Sequence, residues 1–154
     1  MAISGTFQDQ SNDFASINPV DVASVPSIAG DFDNDGDVDV DDIDFYVGNI
    51  GAAAIGGLAQ LDFNADGMVT EADLNIHITT LVQPSNGAQG ALIGDLNLDG
   101  RVDVLGDAFI LIANLGSSGP ISYGLGNVNT DLSVNVLGDA FPLIGNLGEN
   151  NDSP

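Results

Sequence analysis

Four acidic segments recur at nearly equal intervals along the chain, and this repeat constrains the fold more than any other feature. They begin at Asp31, Asp62, Asp95 and Asn127, so the intervals are 31, 33 and 32 residues. Asp or Asn occupies their first and third positions, Asp the fifth and Val the eighth, and Gly fills the sixth position in the first three. We therefore predict four copies of one small unit, with several small cores rather than one large core. The segments read DFDNDGDVDVDD, DFNADGMVTEAD, DLNLDGRVDVLGD and NVNTDLSVNVLGD.

The spacing of the acidic positions is typical of a loop that curls around a calcium ion. Calcium takes about six to eight oxygen ligands, and side chains at positions 1, 3, 5 and 9, with a final acid, reach the centre of such a loop. Position 7 contributes only its backbone carbonyl, and Gly at position 6 permits the sharp turn. The usual final residue is Glu at position 12, whereas Asp42 and Asp73 stand there in the first two segments. We refer to the segments at 31–42, 62–73, 95–107 and 127–139 as loops one to four.

Loops three and four carry one extra residue, which moves their closing acid. Position 12 would be Gly106 and Gly138, so Asp107 and Asp139 are the better candidates. Counted from the closing Asp, apolar residues recur at +1, +5 and +8, which predicts a helix after every loop. The stretches before the loops are rich in Gly, Ala, Ser and Pro, so loop–helix units without an entering helix are expected. The predicted helix face consists of Ile43, Val47, Ile50, Leu74, Ile78, Leu81, Ala108, Ile112, Leu115, Ala140, Ile144 and Leu147.

The charge composition excludes several classes of function. There are 23 acidic residues against one basic residue, which gives a formal net charge of −22. Carboxylates that repel one another need an external cation, and an acidic chain of this kind does not bind nucleic acid. The sequence has no window of 18 apolar residues, so no membrane insertion is expected. With no Cys and with His77 as the one His, predicted to be a surface or packed residue, we expect no enzyme.

Loop–helix units of this kind, closed by Asp, resemble dockerin modules. The segment GDFDNDGDVDVDDIDFYVGNIG (30–51) is similar to a dockerin repeat over its whole length, and VLGDAF at 104–109 and 136–141 resembles dockerin-type repeats of environmental bacteria. The resemblance implies a mainly α fold of four calcium loop–helix repeats arranged as two dockerin-like pairs. Pair one would span 30–83 and pair two 94–154, with a linker at 84–93 and an extended N-terminal arm at 1–29.

The resemblance also implies Ca2+ as a folding cofactor, with three sites in loops one to three. Loop four is left open, because Asn127 replaces the first Asp and Leu132 replaces the Gly. The ligands carried over to the first three loops, including the carbonyl positions, are Asp31, Asp33, Asp35, Asp37, Asp39, Asp42, Asp62, Asn64, Asp66, Met68, Thr70, Asp73, Asp95, Asn97, Asp99, Arg101, Asp103 and Asp107. The candidates in loop four are Asn127, Asn129, Asp131, Ser133, Asn135 and Asp139.

The function implied by the resemblance is calcium-dependent protein–protein assembly by a non-catalytic module, extracellular or at the cell surface. Dockerins contact cohesin through loop positions 10 and 11, often Ser-Thr, and these positions here include Val104-Leu105 and Val136-Leu137. Because these pairs depart from Ser-Thr, a cohesin-like partner and self-association both stay open. The alternative function is a structural subunit of an extracellular filament or surface layer, stabilised by calcium, whose arm packs on the next subunit.

Overall fold

The computed structural model describes residues 28–151, so the arm predicted at 1–29 lies almost entirely outside the described residues. Within that range the chain is mainly helical, as predicted, and its β-pairing consists of three isolated bridges. None of the described helices has the length and apolar character needed to cross a membrane. The α-helices are α1 (Val40–Ile43), α2 (Glu71–Thr80), α3 (Phe109–Asn114) and α4 (Phe141–Gly145), with 3-10 turns at Asp44–Tyr46, Gly56–Leu61 and Tyr123–Leu125 and π turns at Val104–Ala108 and Val136–Ala140.

Helices α1 and α2 begin with a capping box, in which the closing acid of the loop bonds back to the residue before the helix. The Asp39 N–H donates to Asp42 Oδ2 at 3.0 Å, and the Thr70 N–H donates to Asp73 Oδ2 at 2.9 Å. A carboxylate is favourable in this first turn because the free N–H groups of a helix carry partial positive charge. The closing acid of each of these loops therefore also fixes the start of its helix.

In loops three and four a π turn accommodates the extra residue. The Asp103 N–H donates to Asp107 Oδ2 at 2.7 Å, and the Asn135 N–H donates to Asp139 Oδ2 at 2.7 Å, across four residues instead of three. A π turn holds one more residue than an α-helical turn. Asp107 and Asp139 therefore occupy the same place as the closing acids of loops one and two.

We call each loop together with the helical region that follows it a repeat, and number the repeats one to four as their loops. Backbone hydrogen bonds join repeat one to repeat two and repeat three to repeat four. In three cases a glycine that follows the helical region donates its N–H to the carbonyl of the position-8 valine in the other repeat. These glycines have φ between 88° and 93°, a left-handed conformation that glycine adopts without strain. In the fourth case the donor is Gln83, which bonds to Val38 O at 2.8 Å. The three glycine bonds are Gly51 to Val69 (2.7 Å), Gly116 to Val134 (2.8 Å) and Gly148 to Val102 (2.8 Å).

The buried apolar residues form one cluster that draws on all four repeats, which differs from the predicted set of small cores. The position-8 valines of the loops lie in this cluster, and none is more than 1% exposed. The predicted linker also contributes to this cluster through Ala91, and its Ala88 is buried as well. His77 is packed inside, with its ring stacked on Phe63 at a centroid distance of 5.5 Å.

The predicted buried face of the helices holds for Ile43, Leu74 and Ile78 but is wrong for most of α3 and α4. Positions +5 and +8 of those two repeats are exposed. The residue at +4 is buried in every repeat instead, so the side chains at +1 and +4 are the ones that pack into the core. The exposed residues are Ile112, Leu115, Ile144 and Leu147, and the buried residues at +4 are Tyr46, His77, Leu111 and Leu143.

Close backbone approach explains this rotation of the helix face. Gly126, just before loop four, packs so closely on α3 that a Cβ there would lie 2.9 Å from the Leu111 Cα. Gly94, before loop three, has the same relation to the Leu143 Cα of α4, also at 2.9 Å. The glycine contacts cover the +4 side of two short helices, while nothing in the described chain buries the +5 side.

Direct hydrogen bonds also connect the two predicted pairs. The Tyr123 N–H donates to Asp44 Oδ1 at 2.8 Å, and the Gly48 N–H donates to Thr130 O at 3.3 Å. The Tyr123 hydroxyl accepts from the Gly94 N–H at 2.9 Å and is itself part of the shared core. The segment that follows loop one is therefore packed against loop four and against the turn that precedes it.

Candidate metal centres

Loop one brings carboxylates together in two groups of three. Within each group, one oxygen from every residue lies within 4.8 Å of the others. The Oδ2 atom of Asp31 accepts from the Gly36 N–H at 3.2 Å, whereas its Oδ1 atom is buried and has no hydrogen-bond partner. Burying such an oxygen is unfavourable unless a donor or a cation compensates it. The groups, which together include all the side-chain ligands predicted for this loop, are Asp31, Asp33 and Asp35, and Asp37, Asp39 and Asp42.

Loop two gathers its five predicted side-chain ligands into one connected group. Carboxylate oxygens of Asp62, Asp66 and Asp73 lie within 4.8 Å of one another. The Asn64 Nδ2 donates to Asp66 Oδ2 at 3.0 Å, and the Thr70 hydroxyl donates to Asp73 Oδ2 at 2.7 Å. The donor set is made of oxygen atoms only, which is the preference of calcium and magnesium.

All four loops share one bond from the closing acid to the start of the loop. One oxygen of the closing acid accepts a backbone N–H from the second or third loop residue, about ten residues earlier in the chain. Its other oxygen holds the first turn of the helix, as described above. In every repeat, the closing acid therefore links the start of the loop to the start of the helix through hydrogen bonds. The N–H donors are Phe32 to Asp42 (2.6 Å), Asn64 to Asp73 (3.0 Å), Leu96 to Asp107 (2.7 Å) and Asn129 to Asp139 (3.3 Å).

In loops two to four, the backbone hydrogen bonds on both sides of position 7 turn its carbonyl away from the partner repeat. Around Met68, the carbonyls of Gly67 and Val69 both accept bonds from the partner repeat, at 2.9 and 2.7 Å. Successive carbonyls of an extended segment point in opposite directions, so the Met68 carbonyl points away from that partner and toward the loop. The residues that flank Arg101 and Ser133 make the equivalent pairs of bonds, at distances of 2.8 to 3.0 Å.

Loop three differs in how its acids are arranged. Among the described residues its carboxylates do not form a group as tight as those of loops one and two. Asp95 is fully buried, and burial raises the pKa of its carboxyl to about 7, with the Asp107 and Asp99 charges acting in the same direction. Its oxygens accept from the Asp99 N–H at 3.1 Å and the Gly100 N–H at 2.9 Å. A cation in this loop would supply the counter-charge that Asp95 lacks.

The remaining candidates of loop three keep the pattern of loop two. The Asn97 Nδ2 donates to Asp99 Oδ2 at 3.1 Å, just as the Asn64 Nδ2 donates to Asp66 Oδ2 in loop two. Asp103 Oδ1 accepts from the Gly106 N–H at 2.6 Å, so Gly106 lies inside the π turn and is not a ligand. A Cβ at Gly106 would approach Asn97 Nδ2 to 2.8 Å, which explains why a glycine stands there.

Loop four has an amide at its first position, where the other loops have an acid. The Asn127 Nδ2 donates to the carbonyls of Asp131 at 2.9 Å and Ile121 at 2.8 Å, while its buried Oδ1 has no partner. Asp131 accepts from the Asn129 Nδ2 at 3.0 Å and from the Ser133 hydroxyl at 2.9 Å. Because Asn127 replaces the first acid, loop four has one carboxylate fewer than the other loops at this position and less need of a cation.

A left-handed residue at position 4 is a feature of the loops that the sequence does not predict. The φ angles are 63° at Asn34, 61° at Ala65, 50° at Leu98 and 53° at Thr130. Among these types only Asn adopts this conformation readily, and the others cost on the order of 1 kcal/mol each. All four loops therefore share this backbone conformation at position 4.

Burial and hydrogen bonding act in opposite directions on the closing acids. Burial raises the pKa of Asp42, Asp107 and Asp139, although backbone N–H groups of their own loops oppose the shift. Burial also opposes ionisation of Asp73, but bonds from the backbone of Asn64 and from Thr70 outweigh it and hold the Asp73 pKa below its usual value.

No family model, curated protein or solved structure matches this chain.

Proposed function

We propose that this chain is a calcium-folded, non-catalytic module of dockerin-like type that mediates protein–protein assembly. The observation that carries the proposal is the pair of hydrogen bonds that each closing acid accepts. One oxygen binds the start of the loop and the other binds the first turn of the helix. An ion that binds the loop would act on the same carboxylate that orients the helix. Binding energy would therefore become folding energy.

Calcium is the cation that this ligand set fits best. The candidate ligands are carboxylates, amides, hydroxyls and backbone carbonyls, with no thiolate and no imidazole among them. Softer ions prefer sulfur and nitrogen, and magnesium keeps several waters rather than a cage of protein oxygens. The proposal places Ca2+ in loops one to three, where the first position is Asp, and gives loop four a weaker site or none.

The reciprocal bonds between helix ends and position-8 valines support an arrangement as two pairs of loop–helix repeats. Those bonds run within repeats one and two and within repeats three and four. A non-catalytic role agrees with the surroundings of the acids, because the closing acids bond to the backbone of their own loops. An extracellular or cell-surface location agrees with a calcium-folded module, because extracellular calcium-binding modules have dissociation constants of about 10⁻⁴ to 10⁻³ M.

The assembly role is supported by apolar side chains at the loop positions through which dockerins bind. Leu105 and Leu137, at position 11 of loops three and four, are 77% and 76% exposed. Large exposed side chains of this kind, in adjoining repeats, are typical of protein-binding surfaces.

Calorimetry and circular dichroism with and without calcium test the proposal. We expect at least three bound ions per chain and a melting temperature that falls when EGTA removes them. Asp62→Asn should abolish one site, whereas Asp41→Asn, at an exposed acid that is not a predicted ligand, should leave the number of sites unchanged. Absence of calcium binding, with equal melting temperatures in calcium and EGTA, would refute the proposal.

A further inference from the structure

Repeats three and four expose an apolar surface that repeats one and two do not have. We call it the apolar face; its ten side chains are each between 42% and 77% exposed. At offset +2 from the closing acid it presents Phe109 and Phe141, where the first two repeats have Asp44 and Asn75. Helix α4 packs on the π turn Val104–Ala108, so the two halves of the face adjoin. The face consists of Val104, Leu105, Phe109, Ile112 and Leu115 from repeat three and Val136, Leu137, Phe141, Ile144 and Leu147 from repeat four.

The two segments that form the apolar face expose no charged side chain. The acidic residues within 104–118 and 132–148 are Asp107 and Asp139, and both are at most 1% exposed. The rest of the chain is strongly acidic, with a formal net charge of −22 overall. Two copies that met through other surfaces would bring like charges together, which is unfavourable. On the apolar face, one copy can therefore meet another without direct contact between like charges.

The size of the face suits a stable interface. Ten apolar side chains that are about half exposed leave on the order of 800 Å² in water, which is about what each partner of a stable complex buries and exceeds the apolar patches of most monomers. A surface of this extent favours a partner that is apolar and uncharged, as the face itself is.

The two halves of the face are nearly identical, so the two contacts between halves in a two-fold dimer would be of the same kind. Equivalent residues have almost the same exposure, as Phe109 at 55% and Phe141 at 57% show. In a two-fold dimer, each contact between residues i and j occurs twice, with the roles exchanged. Repeat three of one copy can therefore dock on repeat four of the other, and the same contact recurs across the axis.

We infer that the apolar face is a calcium-dependent dimer interface between two copies of this chain. The inference rests on the proposed function, because Leu105 and Leu137 lie in the π turns that Asp107 and Asp139 hold. It commits the proposed assembly role to self-association rather than to a cohesin-like partner.

Light scattering coupled to size exclusion, in calcium, tests this inference on the full chain. We expect twice the monomer mass of 15.7 kDa at about 100 μM protein and a monomer for the double variant Leu105→Asp/Leu137→Asp. The matched control is Ile55→Asp, because Ile55 is 74% exposed but lies outside the face, and it should stay dimeric. Calcium binding is measured by calorimetry in the same samples, so a failure of calcium binding is seen separately from a failure to dimerise.

A wild-type chain that binds calcium but is monomeric would overturn the inference, as would a dimer that survives the double substitution. Cysteine trapping provides a second measurement that does not depend on the charged variants. The sequence has no Cys, so single variants Leu105→Cys and Leu137→Cys carry one thiol each. When mixed in calcium and oxidised, they should form a cross-linked dimer at least tenfold faster than Ile55→Cys does with itself. Equal rates would also overturn the inference.

Discussion

Asp107 and Leu96 are joined across loop three, where Asp107 Oδ1 accepts the Leu96 N–H at 2.7 Å. The other oxygen of the same carboxylate accepts the Asp103 N–H at the start of the π turn, also at 2.7 Å. One side chain thus holds both ends of the loop, although it stands one residue later than the usual closing position. The π turn makes this possible, and it also brings Gly106 against the Asn97 side chain.

We predict that Gly106→Ala weakens calcium binding in loop three more than it weakens the fold. The new Cβ would lie 2.8 Å from Asn97 Nδ2, and Asn97 can turn away because it is exposed. The change in the free energy of unfolding without calcium should therefore stay below about 1 kcal/mol. Displacement of the Asn97 side chain removes the predicted ligand at position 3 of loop three. Calorimetry should therefore show a calcium affinity about 10- to 100-fold lower at one site.

Gly145→Ala is the matched control, because Gly145 is also helical, has no left-handed φ and has no atom within 4 Å of the added methyl group. It should leave every calcium affinity unchanged. Equal calcium affinities for wild type and Gly106→Ala would show that the added methyl group does not displace Asn97 from the calcium site.

We predict that substitutions at the first loop position separate metal-dependent from metal-independent stabilisation. Asp31→Asn should reduce the increase in melting temperature that calcium produces, because it removes a charged ligand from loop one. Asn127→Ala should instead lower stability equally in calcium and in EGTA, since it leaves the carbonyls of Ile121 and Asp131 without their donor. The expected loss is about 1–3 kcal/mol, as for other buried polar groups that lose a partner. Chemical denaturation of both variants under the two conditions checks this, and a larger loss for Asn127→Ala in calcium than in EGTA would contradict it.

The repeat in the sequence was sufficient to place the loops and their closing acids. The fixed interval relates each loop to the others, and the apolar offsets align only when Asp107 and Asp139 are taken as the last loop residues. The structure gives these two residues the same bonds as Asp42 and Asp73. The mainly helical character followed from the same periodicity.

The helix face and the single core could not be read from that periodicity, because it shows where apolar residues lie and not which neighbour covers them. Ile112 and Leu111 are equally apolar, and the close approach of Gly126 decides which of them is buried. A usable signal was present, since Gly30, Gly94 and Gly126 each directly precede a loop. The left-handed residues at position 4 left no such signal, because Ala65 and Leu98 are types that seldom adopt this conformation.

We predict that Asp44→Ala destabilises the contact between the two predicted pairs. Asp44 Oδ1 accepts the Tyr123 N–H at 2.8 Å, and Tyr123 is fully buried in the shared core. Loss of the acceptor should lower the free energy of unfolding in calcium by about 1–3 kcal/mol. Asp41→Ala, at a nearby exposed acid outside the predicted ligand set, should change it by no more than about 0.5 kcal/mol. Denaturant unfolding of the two variants makes the comparison, and equal losses would show that the Asp44 bond does not stabilise the fold.

The fold disfavours protonation of His77. Burial lowers its pKa from 6.5 to about 4, although the bond to the Gly30 carbonyl acts in the opposite direction. Nε2 lies 3.2 Å from that carbonyl, so Nε2 carries the proton of the neutral ring. Nδ1 is buried without a partner, and a second proton would place a charged N–H there with no acceptor.

Between pH 6.5 and pH 4 the unfolded chain therefore binds a proton at His77 that the folded chain does not. Stability from this residue is complete above pH 6.5 and is lost as the pH falls toward 4. The difference of about 2.5 pKa units corresponds to about 3 kcal/mol at most. His77→Leu removes the titration and places at +4 the residue that repeats three and four already have, at Leu111 and Leu143.

Denaturant unfolding in saturating calcium at pH 7.5 and pH 4.5 measures this effect, because carboxylates titrate in both proteins and cancel in the difference. The wild type should lose about 2–3 kcal/mol more than His77→Leu over this interval. Parallel losses for the two proteins would mean that the folded chain accepts the second proton on His77, and that the aromatic rings of Phe32, Tyr46 and Phe63 around it do not exclude the charged ring.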